Sequence, residues 1–189
     1  LFVNLPVYAA TWNSGTRFDL SSDWNDNPAL LDDVINPEGT FRFLAAYAGE
    51  FERQDNNSSF NIRPLITTDY YPDSKFSNLQ ATDLFLPGSF SYRRPRNIWS
   101  LGFNASRQSV LSDEATTSQA SPIATLQADD TLTQASLAPS TLWQITERDK
   151  LQIGLSYGIT DYDLEFTSRS DTTSVGGNFS YSRSLTERQ

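Results

Sequence analysis

The chain has neither histidine nor cysteine among its 189 residues. Without His it lacks the commonest general base, the usual zinc ligand and any Ser-His-Asp triad. Without Cys it has no disulfide framework, no thiol nucleophile and no thiolate metal site. Basic residues are scarce: 14 Lys and Arg stand against 23 Asp and Glu, for a net charge of −9 and a pI near 4.4. Phosphate backbones are bound by clustered Lys and Arg, so no nucleic-acid partner is expected. Long apolar runs are missing as well. Hydrophobic residues make up 38% and the mean hydropathy is −0.46, which leaves no stretch for a membrane-spanning helix. A transmembrane β-barrel escapes that limit, because only every second residue of its strands must be apolar.

What is present is alternation. In residues 150–159, Leu151, Ile153, Leu155, Tyr157 and Ile159 alternate with Lys150, Gln152, Gly154, Ser156 and Gly158. Period 2 puts the two sets on opposite faces of a strand. Val175, Gly177, Phe179 and Tyr181 repeat the pattern against Gly176, Asn178, Ser180 and Ser182, after a polar loop over 167–173. Similar alternation runs through 16–24, 40–51, 60–67, 84–92, 99–106 and 131–145, and about eight strands are expected. Asn13-Ser14-Gly15 reads as a turn. Pro64 weakens its strand because it cannot donate to a ladder, and Pro87-Gly88 reads as a bulge.

The connections form a second pattern. Short polar turns (52–57, 93–97, 146–149 and 186–189) alternate with longer loops, as they do in outer-membrane barrels. No stretch has convincing i, i+3, i+4 apolar spacing, and residues 30–35 suit one helical turn at most. Aromatics reach 13%. Trp12, Trp24, Trp99 and Trp143, with Tyr47, Tyr92 and Tyr157, read as interfacial girdle residues. The expected fold is all-β: an antiparallel up-and-down meander of long strands, over one domain 1–189, forming a transmembrane β-barrel or part of one. The competing architecture is a secreted β-sandwich acting as a binding or adhesion module, calcium-dependent if the acidic loop around Asp23–Asp33 holds the ion. Sandwich strands average about 5–6 residues against about 9–11 for a membrane strand, and the strands here look long.

Candidate sites follow from the same alternation. Arg42, Glu50, Arg63, Asn104, Gln152 and Asn178 fall at polar-face positions and would line a barrel lumen. There they would set charge selectivity, hydrogen-bond a sugar, or pair and hydrate one another. Asp23, Asp26, Asn27, Asp32 and Asp33 carry calcium-type oxygens, but the rest of an EF-hand pattern is missing, so the cluster reads as a solvated loop. Asp129 and Asp130 are adjacent and would point to opposite faces. Asp161 and Asp163 share a face. No nucleophile, base and orienting group can be assembled, so neither an enzyme nor a cofactor or metal is expected. The Arg93-Arg94-Pro95-Arg96 turn reads as a solvated turn, with anionic headgroups as its other possible contact.

Three stretches carry a family resemblance: Trp24-Asn25-Asp26-Asn27, the strand and Ser-rich loop NASRQSVLSDE (104–114), and LAPSTLWQITER (137–148) entering its turn. With the repeated Thr-Glu-Arg turns they resemble bacterial outer-membrane β-barrel proteins associated with exopolysaccharide and PEP-CTERM-type surface systems. The resemblance covers most of the chain. It implies a Gram-negative cell-envelope protein in the outer membrane, a porin-like channel or scaffold in a surface or polysaccharide-export system. Its implied partners are outer-membrane lipid, polysaccharide and other envelope proteins. Members of the family are usually longer. No basic-then-apolar leader opens this chain, it starts at Leu1 rather than Met, and it ends in a turn-like segment. A processed product or part of a larger barrel is therefore expected, with further strands from the parent protein or another chain.

Overall fold

The structure is a computed structural model, and it describes residues 10–26, 39–109, 131–163 and 170–185. They form one antiparallel sheet of nine strands. These are β1 (Thr11–Asn25), β2 (Thr40–Gln54), β3 (Ser58–Ile62), β4 (Leu65–Tyr70), β5 (Ala81–Arg94), β6 (Asn97–Ser109), β7 (Thr131–Gln144), β8 (Asp149–Tyr162) and β9 (Thr172–Arg183). The order is that of a meander, in which β3 and β4 share one position between β2 and β5 and every other strand lies beside its neighbour in sequence. Among the described residues there is no α-helix, only a 3₁₀ segment at Ser74–Leu79. A sandwich needs two facing sheets, and the described strands make one.

β3 and β4 are one strand interrupted by Pro64. Phe51 pairs with Ile62 and Ala48 with Leu65, so the register against β2 is unbroken across the gap. The neighbouring backbone groups bridge the interruption: Gly49 N donates to the Pro64 carbonyl at 2.8 Å and Arg63 N to the Pro87 carbonyl at 3.0 Å. The sheet therefore has eight strand positions, as the alternation implies.

Two turn-like sequences prove to be strand. Asn13, Ser14 and Gly15 lie inside β1, opposite Glu52, Phe51 and Glu50. Cross-strand pairing along all of β2 overrides their local turn preference. Pro87 and Gly88 pair in register with Asn104 and Phe103, so there is no bulge. Instead the Phe103 ring lies over Gly88, in the space a Cβ would occupy. An aromatic ring covering a strand glycine restores packing that the missing side chain gives up.

The connections sort by end. Segments 55–57, 95–96 and 145–148 join strands at one end; 26–39, 71–80, 110–130 and 163–171 join them at the other. In the first short turn, Asp55 accepts hydrogen bonds from Asn57 N, Ser58 N and Ser58 Oγ. In the last, Thr146 Oγ1 accepts from Arg148 N and Asp149 N. Asx- and Thr-type turns of this kind need no glycine, which is why these two turns are acidic and hydroxylic.

Strands are also staggered in one direction. A row of paired residues starting at Phe18, in the middle of β1, runs through Tyr47, Ile66, Leu84, Arg107 and Thr133 to Asp161, near the end of β8. Cumulative stagger of this kind tilts strands against the axis about which a sheet curls. β1 and β9 are the two edges and are not paired with each other among the described residues.

Candidate functional site

The registers assign every strand residue to a face. One face carries Trp12, Phe18 and Leu20 of β1, Tyr47 and Phe51 of β2, Phe90 of β5, Trp99 and Phe103 of β6, Leu137 of β7, Leu155 and Tyr157 of β8, and Phe179 of β9. All the large apolar strand side chains that stand exposed among the described residues lie on this face; Phe18 is 67% exposed, Phe179 71% and Val175 79%. The charged strand residues of this face sit near its borders: Arg53, Arg94, Asp149 and Arg183 at the short-turn end, Arg107 and Asp161 toward the other. Between them the face is free of charge over residues 41–51 in β2, 84–92 in β5 and 151–159 in β8. Those runs are nine to eleven residues long, the span of a membrane strand.

Aromatic residues sharpen the short-turn border. Trp12, Tyr92, Trp99, Trp143 and Tyr181 all lie near it. Trp99 and Trp143 meet edge to face at 6.2 Å, Arg53 sits over the Trp12 ring at 5.8 Å and Arg94 over Tyr92 at 5.4 Å. Trp24 lies at the opposite end and meets Phe41 edge to face at 5.0 Å. Tyr47 and Tyr157 do not belong to either border. Tyr47 is the middle residue of β2 and Tyr157 lies well inside β8, so both sit in the apolar band.

The opposite face is polar and holds all six residues that the sequence assigns to it. Arg63 and Glu50 are joined at 2.8 Å, across β4's interruption from β2. Arg42 Nε donates to Asp23 Oδ1 at 3.0 Å, directly across the β1–β2 pair. Asn178 packs over Gly154, where its amide fills the volume a Cβ would need. Asn104 and Gln152 stand exposed on the same face. The face divides by composition. Its charges concentrate on β1–β5, with Arg17, Asp19, Asp23, Arg42, Glu50, Arg63, Asp69 and Asp83. From β6 to β9 it is mainly Ser, Gly, Ala, Asn, Gln and Thr.

Two features of this face escape the alternation. A groove of about 550 Å³ crosses β1–β5 between Arg17, Glu50 and Arg63, and its floor is apolar, with Ala48, Leu65, Phe85 and Pro87. The visible signal is the unbroken apolar run 84–87, in which Phe85 must face the polar side. At the long-loop end the segment 71–80 packs inward, burying Tyr71 and Phe76, whose rings lie 6.4 Å apart. There Asp83 is buried and accepts from Ser109 N at 2.7 Å, while Asp69 Oδ1 is buried without a hydrogen-bond partner. Burial pushes the Tyr71 phenol above its ordinary value, against the pull of nearby Arg42.

Of the calcium candidates, Asp23 is taken by Arg42 and Asp26 is exposed. Asn27, Asp32 and Asp33 lie outside the described residues, as do Asp129 and Asp130 and residues 30–35. Among the described residues no group of acidic side chains is arranged to hold a metal ion. Of the Asp161/Asp163 pair, Asp163 Oδ2 accepts from Arg107 at 3.3 Å.

Fold and faces define a class: a long-stranded antiparallel meander with one apolar face, uncharged between its borders, and one polar face. Comparison with known protein families, curated proteins and solved structures finds no match to this chain.

Proposed function

We propose that the protein spans a bacterial outer membrane as a β-barrel wall, apolar face to lipid and polar face to the lumen. The observation that carries this reading is the apolar face itself. It extends over all eight strand positions, stays uncharged for the span of a membrane strand, and is bordered by aromatic and charged residues. No other element among the described residues covers it. In water so large an exposed apolar surface would drive association; in hydrocarbon it is the favourable surface. Uniform stagger and connections sorted by length at the two ends support the same reading.

In hydrocarbon the edges β1 and β9 must find strand partners, because unpaired backbone groups are costly there. In this reading further strands complete the barrel. Its role is that of a channel or of a scaffold in a surface or polysaccharide-export system, and the choice of system rests on the family resemblance alone. The paired charges on β1–β5 support a wetted lumen, since Arg63 and Glu50 both remain more than half exposed.

Extraction and gel mobility test the reading. A membrane barrel requires detergent and migrates differently with and without boiling. Recovery in the soluble fraction without detergent, with no mobility shift, would overturn it.

A further inference from the structure

The apolar face carries one feature that general lipid contact does not require. Between β6, β7 and β8 it is indented by a groove of about 350 Å³, lined by Phe90, Leu101, Pro139, Ile153 and Leu155 with Trp99 at its rim. The groove has a local cause. β7 and β8 pair up to Leu137↔Tyr157 and resume at Ser140↔Gly154, so the ladder opens at Pro139, which has no N–H to give.

Thr141 also lines the groove. It is only 8% exposed, and its Oγ1 is buried with no hydrogen-bond partner. A hydroxyl left unpaired in apolar surroundings is unfavourable, and an acceptor from outside the chain would relieve it. One pleat nearer the short turns, about 7 Å away, comes the row Arg94, Asn97 and Trp143. With the Asn97 carboxamide turned to satisfy both its groups, its oxygen accepts from Trp143 Nε1 at 3.3 Å. Beyond lies the turn with Arg96, exposed like Arg94.

Along one strand direction the order is therefore apolar groove, donor hydroxyl, exposed guanidinium. A glycerophospholipid presents acyl chain, ester carbonyl and phosphate in the same order. We propose that this groove is a binding site for one anionic glycerophospholipid: its acyl chain lies over Pro139, its phosphate meets Arg94 and Arg96, and its ester carbonyl accepts from Thr141 Oγ1 once rotation about χ1 turns that buried hydroxyl into the groove. The proposal rests on the membrane reading above. It gives the basic turn at residues 93–96 a purpose that the lumen does not.

The test uses detergent-purified protein and phosphatidylglycerol as the probe, followed by native mass spectrometry. One lipid is retained per chain, saturably. Thr141→Val keeps the shape and removes the donor, and should weaken retention roughly fivefold, the worth of one net hydrogen bond. The double variant R94Q/R96Q should abolish preference for phosphatidylglycerol over phosphatidylcholine. Phe18→Leu, on the same face outside the groove, should change nothing. Unsaturable binding of several lipids, unaltered in all three variants, would identify ordinary annular lipid and overturn the site. A protein that needs no detergent would instead overturn the membrane reading beneath it.

Discussion

Arg63 and Glu50 face each other at the one place where the third strand position is broken, and their guanidinium and carboxylate lie 2.8 Å apart. Pro64 removes a backbone donor beside them, yet the register holds on both sides. Both side chains are more than half exposed. Glu50→Gln should therefore lower stability by less than about 1 kcal/mol. In a lumen the same change leaves Arg63 uncompensated, so the reversal potential in planar bilayers should move toward anion selectivity. An unchanged potential would remove this pair from the permeation path.

The two faces make opposite predictions for adjacent residues of β7. Leu137 lies in the apolar band and Ser136 on the polar face. Leu137→Arg should cost about 2–4 kcal/mol in a bilayer, the penalty for a cation near the midplane. Ser136→Arg should be close to neutral. Urea unfolding from liposomes measures both.

Gly88 has its own signature. A methyl there collides with the Phe103 ring, so Gly88→Ala should destabilise by about 1–3 kcal/mol, as overpacking does. Adding Phe103→Leu should return part of the loss, and the double-mutant cycle reads the coupling.

Acid sensitivity should appear in the first short turn. The Ser58 hydroxyl, the Asn57 and Ser58 N–H groups and Arg53 hold the Asp55 carboxyl below its ordinary value of 3.8. A carboxyl lowered on folding binds fewer protons in the folded than in the unfolded chain, so its contribution is present above that value. It is lost as pH falls through the lower folded value. Asp55→Asn should therefore be less stable than the parent at pH 6, with the difference shrinking below pH 4. A difference independent of pH would assign the effect to turn geometry.

The faces were legible because burial on one side enforces period 2, as β8 shows from Leu151 to Ile159. Arg42, Glu50, Arg63, Asn104, Gln152 and Asn178 follow from that parity alone. Local signals misled where long-range pairing decided the outcome. Asn13-Ser14-Gly15 has turn chemistry, but β2 supplies a paired partner to each of the three. Gly88 beside Pro87 looks like a bulge, yet it is the seat of a ring from the next strand. Tyr47 and Tyr157 read as border residues by type, and only the strand ends reveal that they sit inside the band. The groove at Pro139 and the buried Thr141 hydroxyl depend on which residues of β6 and β8 lie alongside, a matter of register that no single segment encodes.

Because the chain has no cysteine, the central claim can be tested residue by residue. Single cysteines placed at 151 through 158 in β8, in protein reconstituted into liposomes, would be challenged with a water-soluble maleimide. The membrane reading predicts a period of two: positions 152, 154, 156 and 158 label from the lumen, while 151, 153, 155 and 157 stay protected by lipid. Equal labelling of both sets would contradict it, and with it the assignment of the apolar face to the bilayer.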